Sequence, residues 1–326
     1  MCRPELSPIY GITWKSYVVY NRHMQLANSR EDDPALHSRV RRATPGDAAA
    51  IQRLLKMGVY VHLHIDWRLP GEWLSRPGFV LFEQENKASR DDKDRSPVTA
   101  CLAVAAEPPP AAWVRVAAVD SHAGYGQTSA MFADILDSLD PAVDEIAWFL
   151  SDYWPLHWLE RLGFVPVSEV VGFRKEGLHV PSFDMPADIV IRPLLMVDLP
   201  ELAAMETAAF EPRWRHSASD LSLAWRHSIC FTVALIGDMP VGYQFSTGGG
   251  GNAHLSRMTV HPDWQGRGIG AALLANAIES YRLQNVQTIT LNTQSDNVAS
   301  RRLYERFGFS PTGFSYPIWS YFPSLN

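Results

Sequence analysis

Three glycines, Gly266, Gly268 and Gly270, alternate with Arg267 and Ile269 where an apolar strand-like stretch ending at Val260 gives way to an apolar run with helical spacing. A glycine-rich turn at a helix start leaves several backbone N–H groups without intrahelical partners, all beside the positive end of the helix dipole. That is an anion site, and glycine lets the backbone come close to what it binds. Arg267 adds a positively charged donor and Gln265 a polar lead-in. Two common anion loops fit poorly. A nucleotide P-loop needs Lys and then Ser or Thr after its last glycine, whereas Gly270 is followed by Ala271 and Ala272. A dinucleotide fold wants an acidic residue about 20 residues further on; this chain offers Gln284, Asn285 and Gln287.

The pattern Gln265, Gly268, Gly270, followed downstream by Asn297, Ser300, Leu303, Tyr304, Gly308 and Phe309, resembles the signature of the GNAT family of N-acyltransferases. The resemblance covers nearly all of 188–326. It implies acetyl-CoA as acyl donor, with no metal. The amides of Gln265, Gly266, Arg267, Gly268, Ile269 and Gly270 would hold the pyrophosphate, and the strand Met258, Thr259, Val260 would hydrogen-bond the pantetheine arm. Asn297 and Ser300 would position the coenzyme, and Tyr304 would protonate the departing sulfur. A phenol of pKa about 10 can protonate a thiolate of pKa about 8.5 at modest cost. The plain structural roles are a buried helical tyrosine for Tyr304 and a helix N-cap for Asn297.

The amine must also lose a proton, and here the sequence departs from the family. Ribosomal-protein-type N-terminal acetyltransferases, which 210–214 and 291–309 resemble, often carry glutamate where this chain has Asn292. The strand-four position that is acidic in many relatives holds Ser256 and Arg257. Glu206, Glu211, His254 and ordered water remain; water-mediated deprotonation is the first expectation and Glu211 the side-chain candidate. The segment 210–215, with Phe210, Glu211, Arg213 and Trp214, is expected to wall the acceptor site.

These residues need a scaffold, and the sequence writes it twice. Leu159-Glu160-Arg161-Leu162-Gly163-Phe164 parallels Tyr304-Glu305-Arg306-Phe307-Gly308-Phe309, and Arg41 with Asp47 parallels Arg192 with Asp198. Offsets of about 150 residues indicate duplicated domains, since solenoid repeats run roughly 20–50. The expected division is an extension 1–37, a degenerate copy 38–180, a linker containing Pro181 and Pro186, and a catalytic copy 188–326. The fold class is mixed α/β: two tandem GNAT-like domains, each a central sheet flanked by helices.

In the second copy the spacing predicts a strand at 189–192, helices at 199–209 and 217–227, and strands at 230–236 and 241–247 around Gly237-Asp238. A strand at 254–260, a helix at 269–283, a strand at 287–292, a helix at 298–306 and a strand at 314–321 follow. The first copy has Leu159 at the tyrosine position, Asp152 at the Asn297 position, and a loop Ala123-Gly124-Tyr125-Gly126 without the leading Gln or Arg. Catalysis is not expected there; the copy would support the active one, shape its acceptor cleft or bind a ligand without turnover. His62, His64 and Asp66, with Trp67 and Trp73 nearby, read as packing rather than as a metal site. The charged tract 85–96 reads as a hairpin loop.

The chain has 326 residues, 46% hydrophobic and 20% charged, enough to bury a large core. A net charge of −6 gives no basic excess for nucleic acid or an anionic membrane. Cys2, Cys101 and Cys230 are scattered, and no apolar run approaches the ~18 residues of a membrane span. A cytoplasmic monomer or homodimer is expected, acting on a small-molecule amine or a peptide N-terminus. The alternative of a different class is an acyl-CoA sensor without turnover.

Overall fold

The computed structural model describes residues 34–64, 67–74, 76–84, 97–106 and 108–325. In chain order α1 Pro34–His37 precedes the first copy, which contains β1 Val40–Arg42, α2 Ala48–Met57, β2 Tyr60–Leu63, β3 Phe79–Glu83, β4 Val98–Ala106, β5 Ala111–Val119, α3 Tyr125–Asp137, β6 Glu145–Phe149, α4 Leu156–Arg161 and β7 Val165–Glu176. The second contains β8 Ile189–Pro193, α5 Leu199–Ala209, α6 Ala218–His227, β9 Cys230–Ile236, β10 Met239–Gly249, β11 Asn252–Val260, α7 Ile269–Leu283, β12 Thr288–Gln294, α8 Val298–Arg306 and β13 Ser310–Tyr321. This is the mixed α/β order expected, and helices α5, α7 and α8 begin and end where the spacing places them. Strands β10 and β11 run a few residues longer than their side-chain pattern suggests, because their ladder continues through Gly248-Gly249 and Asn252; β12 continues to Gln294 and β13 begins at Ser310 because both pair with β7 there. The tract 85–96 lies outside the described residues, between the antiparallel neighbours β3 and β4.

Local chemistry explains the shared starts of the two copies. Asp47 accepts two hydrogen bonds from the Arg41 guanidinium, at 2.7 and 2.9 Å, and one from the Thr44 amide. Asp198 repeats this with Arg192 at 2.7 and 2.8 Å and with the Leu195 amide. In each copy one carboxylate thus locks strand, turn and first helix together through a bidentate pair. Helix α6 starts on a reciprocal Ser217–Asp220 capping box, and Gly237 turns the β9–β10 hairpin at φ 60°.

All thirteen described strands belong to one sheet, in the order β1-β3-β4-β5-β6-β13-β7-β12-β11-β10-β9-β8, with β2 attached to β5. The last strand of each copy crosses into the other: β13 pairs with β6, and β7 pairs with β12, while β7 and β13 pair with each other at the centre. Exchange turns what would be two exposed sheet edges into interior ladders, which satisfies their backbone groups.

Side chains alternate between faces, as strand geometry requires. In the second copy Val233, Tyr243 and Phe245 pack under α5 and α6 with Leu202 and Leu221. Ile289 and Leu291 pack on the other face under α7 and α8 with Ile278, Tyr281 and Phe307. Trp319 and Tyr321 of β13 belong to the core of the first copy, beside Trp148, Phe132 and Phe164. No described helix is long and apolar enough to cross a membrane.

Candidate active site

The backbone around β11 makes the site. β11 and β12 are parallel and pair only over Asn252–Leu255 and Thr288–Leu291. At Ser256 a bulge shifts the register with β10, from Ser246↔Leu255 to Phe245↔Arg257, and such an insertion bends the strand that carries it. Beyond it β11 stays with β10 to Val260, and β12 stays with β7 to Gln294. The two strands therefore diverge, and among the described residues no strand pairs with the β12-facing edge of 256–260. That edge presents backbone groups without a strand partner to a wedge, where an extended amide-bearing ligand can pair as a strand would.

The wedge leads to the glycine loop. A short turn, Pro262–Trp264, precedes Gly266 at φ 74° and Gly268 at φ 83°. Gly268 is the N-cap of α7 in the left-handed conformation that glycine alone adopts without strain. A Cβ on Gly270 would lie 3.3 Å from Leu303, so this glycine lets α7 approach α8. Gln265 donates its side-chain amide to the Val260 carbonyl at 3.1 Å, and Arg267 donates to the Asp263 carbonyl while its guanidinium lies 4.6 Å from the Trp264 ring centre. Their side chains thus brace the loop and leave the helix-start amides facing outward.

A cavity of about 310 Å³ opens beside the wedge. Of the residues expected at the coenzyme, Met258, Asn297, Ser300 and Tyr304 line it, and of the expected acceptor wall Phe210, Arg213 and Trp214 do; Thr259, Val260 and 265–270 belong to the wedge edge and loop. The Thr259 hydroxyl turns away from the wedge and donates to Glu206 at 2.9 Å. Asn297 fills the capping role as well, its side chain accepting from the Ser300 amide at 3.1 Å. Tyr304 is buried on α8, and burial pushes its phenol up to about 12. It therefore keeps its proton across neutral pH.

The carboxylates predicted near the reaction are placed elsewhere. Glu211 does not line the cavity: its side chain is 70% exposed and lies 3.6 Å from the Arg213 guanidinium. Glu206 is fully buried beneath Arg257, and it accepts from the Tyr243 hydroxyl at 2.5 Å, from Thr259 and from the His216 amide. Burial raises its pKa, but the Arg257 guanidinium outweighs this and holds the carboxyl below its ordinary value. The charge of Arg257 thus explains Glu206: it is a counter-ion, its oxygens taken up by Arg257, Tyr243, Thr259 and the His216 amide. Arg257 also donates to the Trp214 carbonyl at 2.6 Å and stacks 3.5 Å over Phe210. His254 lines the cavity with Nδ1 2.9 Å from the Thr290 hydroxyl, and burial lowers its pKa.

Shaping the acceptor cleft was one of three roles expected of the first copy, but the residues that reach the cavity were not singled out for it. His64, Trp67, Trp113, Arg115 and Phe149, all from the first copy, line the same cavity, with Trp113 against Trp214 at 5.6 Å and Trp67 against His216 at 5.1 Å between ring centres. His64 and Trp67 stood out only as a weak metal cluster. His62 is buried, with Nε2 3.2 Å from the Val114 carbonyl; Asp66 lies outside the described residues. His216 is pushed down to about 4 by burial and by Arg257, so its imidazole is neutral at pH 7. The cavity thus offers neutral imidazoles, a protonated phenol and several guanidinium groups.

Comparison with known proteins agrees with this geometry. The family model described as the acetyltransferase (GNAT) family matches residues 199–309, which span α5 to the end of α8. An uncharacterized N-acetyltransferase of Methanocaldococcus jannaschii is 32% identical over 123 residues, 37% of this chain and 78% of that protein. The ribosomal protein bS18-alanine N-acetyltransferase of Escherichia coli is 38% identical over 58 residues; the match spans 18% of this chain and only 39% of that enzyme. In fold, the chain is similar to a tandem GNAT protein from the clavulanic acid biosynthesis pathway, with a TM-score of 0.57 at 15% identity over 87% of this chain and 98% of that one. It is also similar to a GCN5-related N-acetyltransferase from Sphaerobacter thermophilus, with a TM-score of 0.56 at 20% identity over 87% and 95%. The splayed strands, the glycine loop at the start of α7 and these matches together place the chain in the GNAT acetyltransferase family.

Proposed function

We propose that the chain is an acetyl-CoA-dependent N-acyltransferase that transfers its acyl group to a primary amine of a small molecule or a peptide N-terminus by direct attack in a ternary complex. In this reading 188–326 is the catalytic copy and 38–180 the degenerate one, working in the cytoplasm. The observation that carries it is the wedge between β11 and β12, which runs on into the glycine loop and borders the cavity that Met258, Asn297, Ser300 and Tyr304 line.

The pantetheine arm extends β11 as a partial strand along Met258–Val260, and the pyrophosphate meets the N–H groups of 266–270 at the start of α7. Asn297 and Ser300 border the coenzyme on α8. The amine nitrogen attacks the thioester carbonyl carbon, the C–S bond breaks, and the sulfur takes the proton of Tyr304, which is refilled from water that has accepted the amine's proton. Holding both reactants in one cavity supplies most of the rate advantage, since alignment can contribute several kcal/mol. Water takes the amine's proton because Glu211 faces solvent and Glu206 is bound to Arg257. The nearby guanidinium charge favours a neutral amine over an ammonium ion, which eases that loss.

A second reading, an acyl-CoA sensor without turnover, draws support from Asn292 and from the stretch Ser256–Arg257, which hold no carboxylate at two places where the family resemblance leads one to expect it. Coenzyme release measured over a panel of amines and N-terminal peptides separates the two. Turnover that falls at least tenfold in Tyr304→Phe supports the enzyme; saturable acetyl-CoA binding with no turnover on any amine supports the sensor.

A further inference from the structure

The wedge of the second copy has a counterpart in the first. There β5 and β6 are also parallel and pair only at one end, Ala111↔Glu145 to Trp113↔Ala147. The remaining edge of β5 is filled: Val116–Val119 pairs antiparallel with β2, from Leu63 to Tyr60. Tyr60 stacks on Trp154 at 5.1 Å, and Trp154 donates to the Val61 carbonyl at 3.2 Å, which closes the slot over β2. A strand of the chain itself thus lies along the edge that the second copy leaves open.

The same segment runs on into the cavity of the second copy. The His64 amide donates to the Arg115 carbonyl at 2.9 Å, His64 and Trp67 reach the cavity wall, and Arg68 pairs with Asp220 on α6 at 2.8 Å. Beside it, two more groups of the first copy hold the loop 210–216. Trp113 donates its indole N–H to the Arg213 carbonyl at 2.9 Å. Glu145, buried on β6, accepts from the Ser320 hydroxyl at 2.5 Å and lies 3.0 Å from the Arg213 guanidinium. Glu145 does not line the cavity, whereas Arg213 does.

We propose that the first copy has exchanged its coenzyme slot for the task of fixing the acceptor wall: β2 occupies the slot, and Glu145 and Arg68 are positioning residues that set the loop 210–216 and α6 of the second copy. A loop joining two helices is ordinarily the most mobile part of such a site. Here it is held by the Trp113 indole bond to the Arg213 carbonyl and by the charge of Glu145, itself buried and bonded to Ser320, beside the Arg213 guanidinium, whose Nε makes no hydrogen bond. The acceptor is thereby selected partly by residues more than a hundred positions away from the chemistry in sequence.

This rests on the acyltransferase reading, and its test uses the full chain with acetyl-CoA as the probe. Calorimetry is expected to give one acetyl-CoA per chain; two would overturn the filled slot. Glu145→Gln keeps the shape and the Ser320 contact but removes the charge facing Arg213. It is expected to raise the acceptor KM at least tenfold and to speed hydrogen exchange at 210–216, with acetyl-CoA affinity unchanged. Trp113→Phe, which removes one donor, is expected to raise the acceptor KM about three- to tenfold, the scale of one hydrogen bond; it carries the test if Glu145→Gln does not fold. Variants that lower the melting temperature yet leave the acceptor KM and loop exchange at wild-type values overturn the proposal. Should no amine turn over, the enzyme reading fails by itself, while stoichiometry and loop exchange still decide this one.

Discussion

Replacing Trp319 by alanine is expected to unfold the first copy before the second, although Trp319 lies near the C-terminus. Its side chain is 1% exposed, pairs in register with Trp148 of β6 and packs in the core of the first copy with Phe132, Phe164 and Leu102. Truncating a fully buried tryptophan removes its apolar contacts and leaves a cavity, a loss of about 3–5 kcal/mol. Against a usual stability of 5–15 kcal/mol this is a large fraction. The indole N–H of Trp319 is buried without a hydrogen-bond partner, as is that of Trp148. Trp319→Phe therefore loses volume but also sheds an unsatisfied donor, and its cost is expected to stay below about 2 kcal/mol. Urea denaturation with hydrogen exchange resolved by segment reads both variants. Protection should fall first in β4, β5 and β6 in Trp319→Ala, with β9 and β10 following. Loss confined to β9–β12, or a cost below about 1 kcal/mol for the alanine variant, would refute the strand exchange as an energetic link.

Gly268→Ala places a Cβ at φ 83° and 3.3 Å from the Asp184 carbonyl oxygen; left-handed strain of about 1–2 kcal/mol should lower the melting temperature by a few degrees and weaken acetyl-CoA at least tenfold by calorimetry. Glu211→Gln should leave kcat within twofold of wild type, because its side chain is exposed and outside the cavity; a loss above tenfold would restore it as the base. His62 is held neutral by burial, its pKa pushed down to about 4. Below pH 6.5 the unfolded chain therefore binds a proton that the folded chain refuses, and stability falls as pH drops from 6.5 toward 4, by up to about 3 kcal/mol for this group. Melting temperatures between pH 7 and 4.5 should fall less steeply in His62→Gln than in wild type; equal slopes would count against it.

Much of the second copy was legible because its signals are local. The serines Ser217 and Ser219 before a helical run, Gly237 between two alternating runs, and Gly268 before an apolar helix each mark a boundary within a few residues of themselves, although the Ser217–Asp220 capping box showed only in the structure. The duplicated Arg41–Asp47 and Arg192–Asp198 pairs were visible as spacing, though the bidentate contact that explains them was not. The strand exchange was hidden, since alternation in 165–176 and 310–321 tells which face is buried and says nothing of the neighbouring strand. The same limit concealed which residues of the first copy reach the cavity. His64 and Trp67 reach it only because β2 pairs with β5, a contact between residues more than fifty apart. Glu206 resembled a base in sequence because its partner, Arg257, is equally remote along the chain.

The central claim is that the wedge and Tyr304 perform acyl transfer, and single-turnover coenzyme release with a productive amine tests it most directly. Wild type and Tyr304→Phe, matched for acetyl-CoA affinity, should differ at least tenfold in the rate of thiol release. The difference should shrink when the donor's leaving thiol is made more acidic, since such a thiolate needs less help from a proton donor. Equal release rates in the two proteins, with affinity and fold unchanged, would contradict the assignment of Tyr304 as the proton donor.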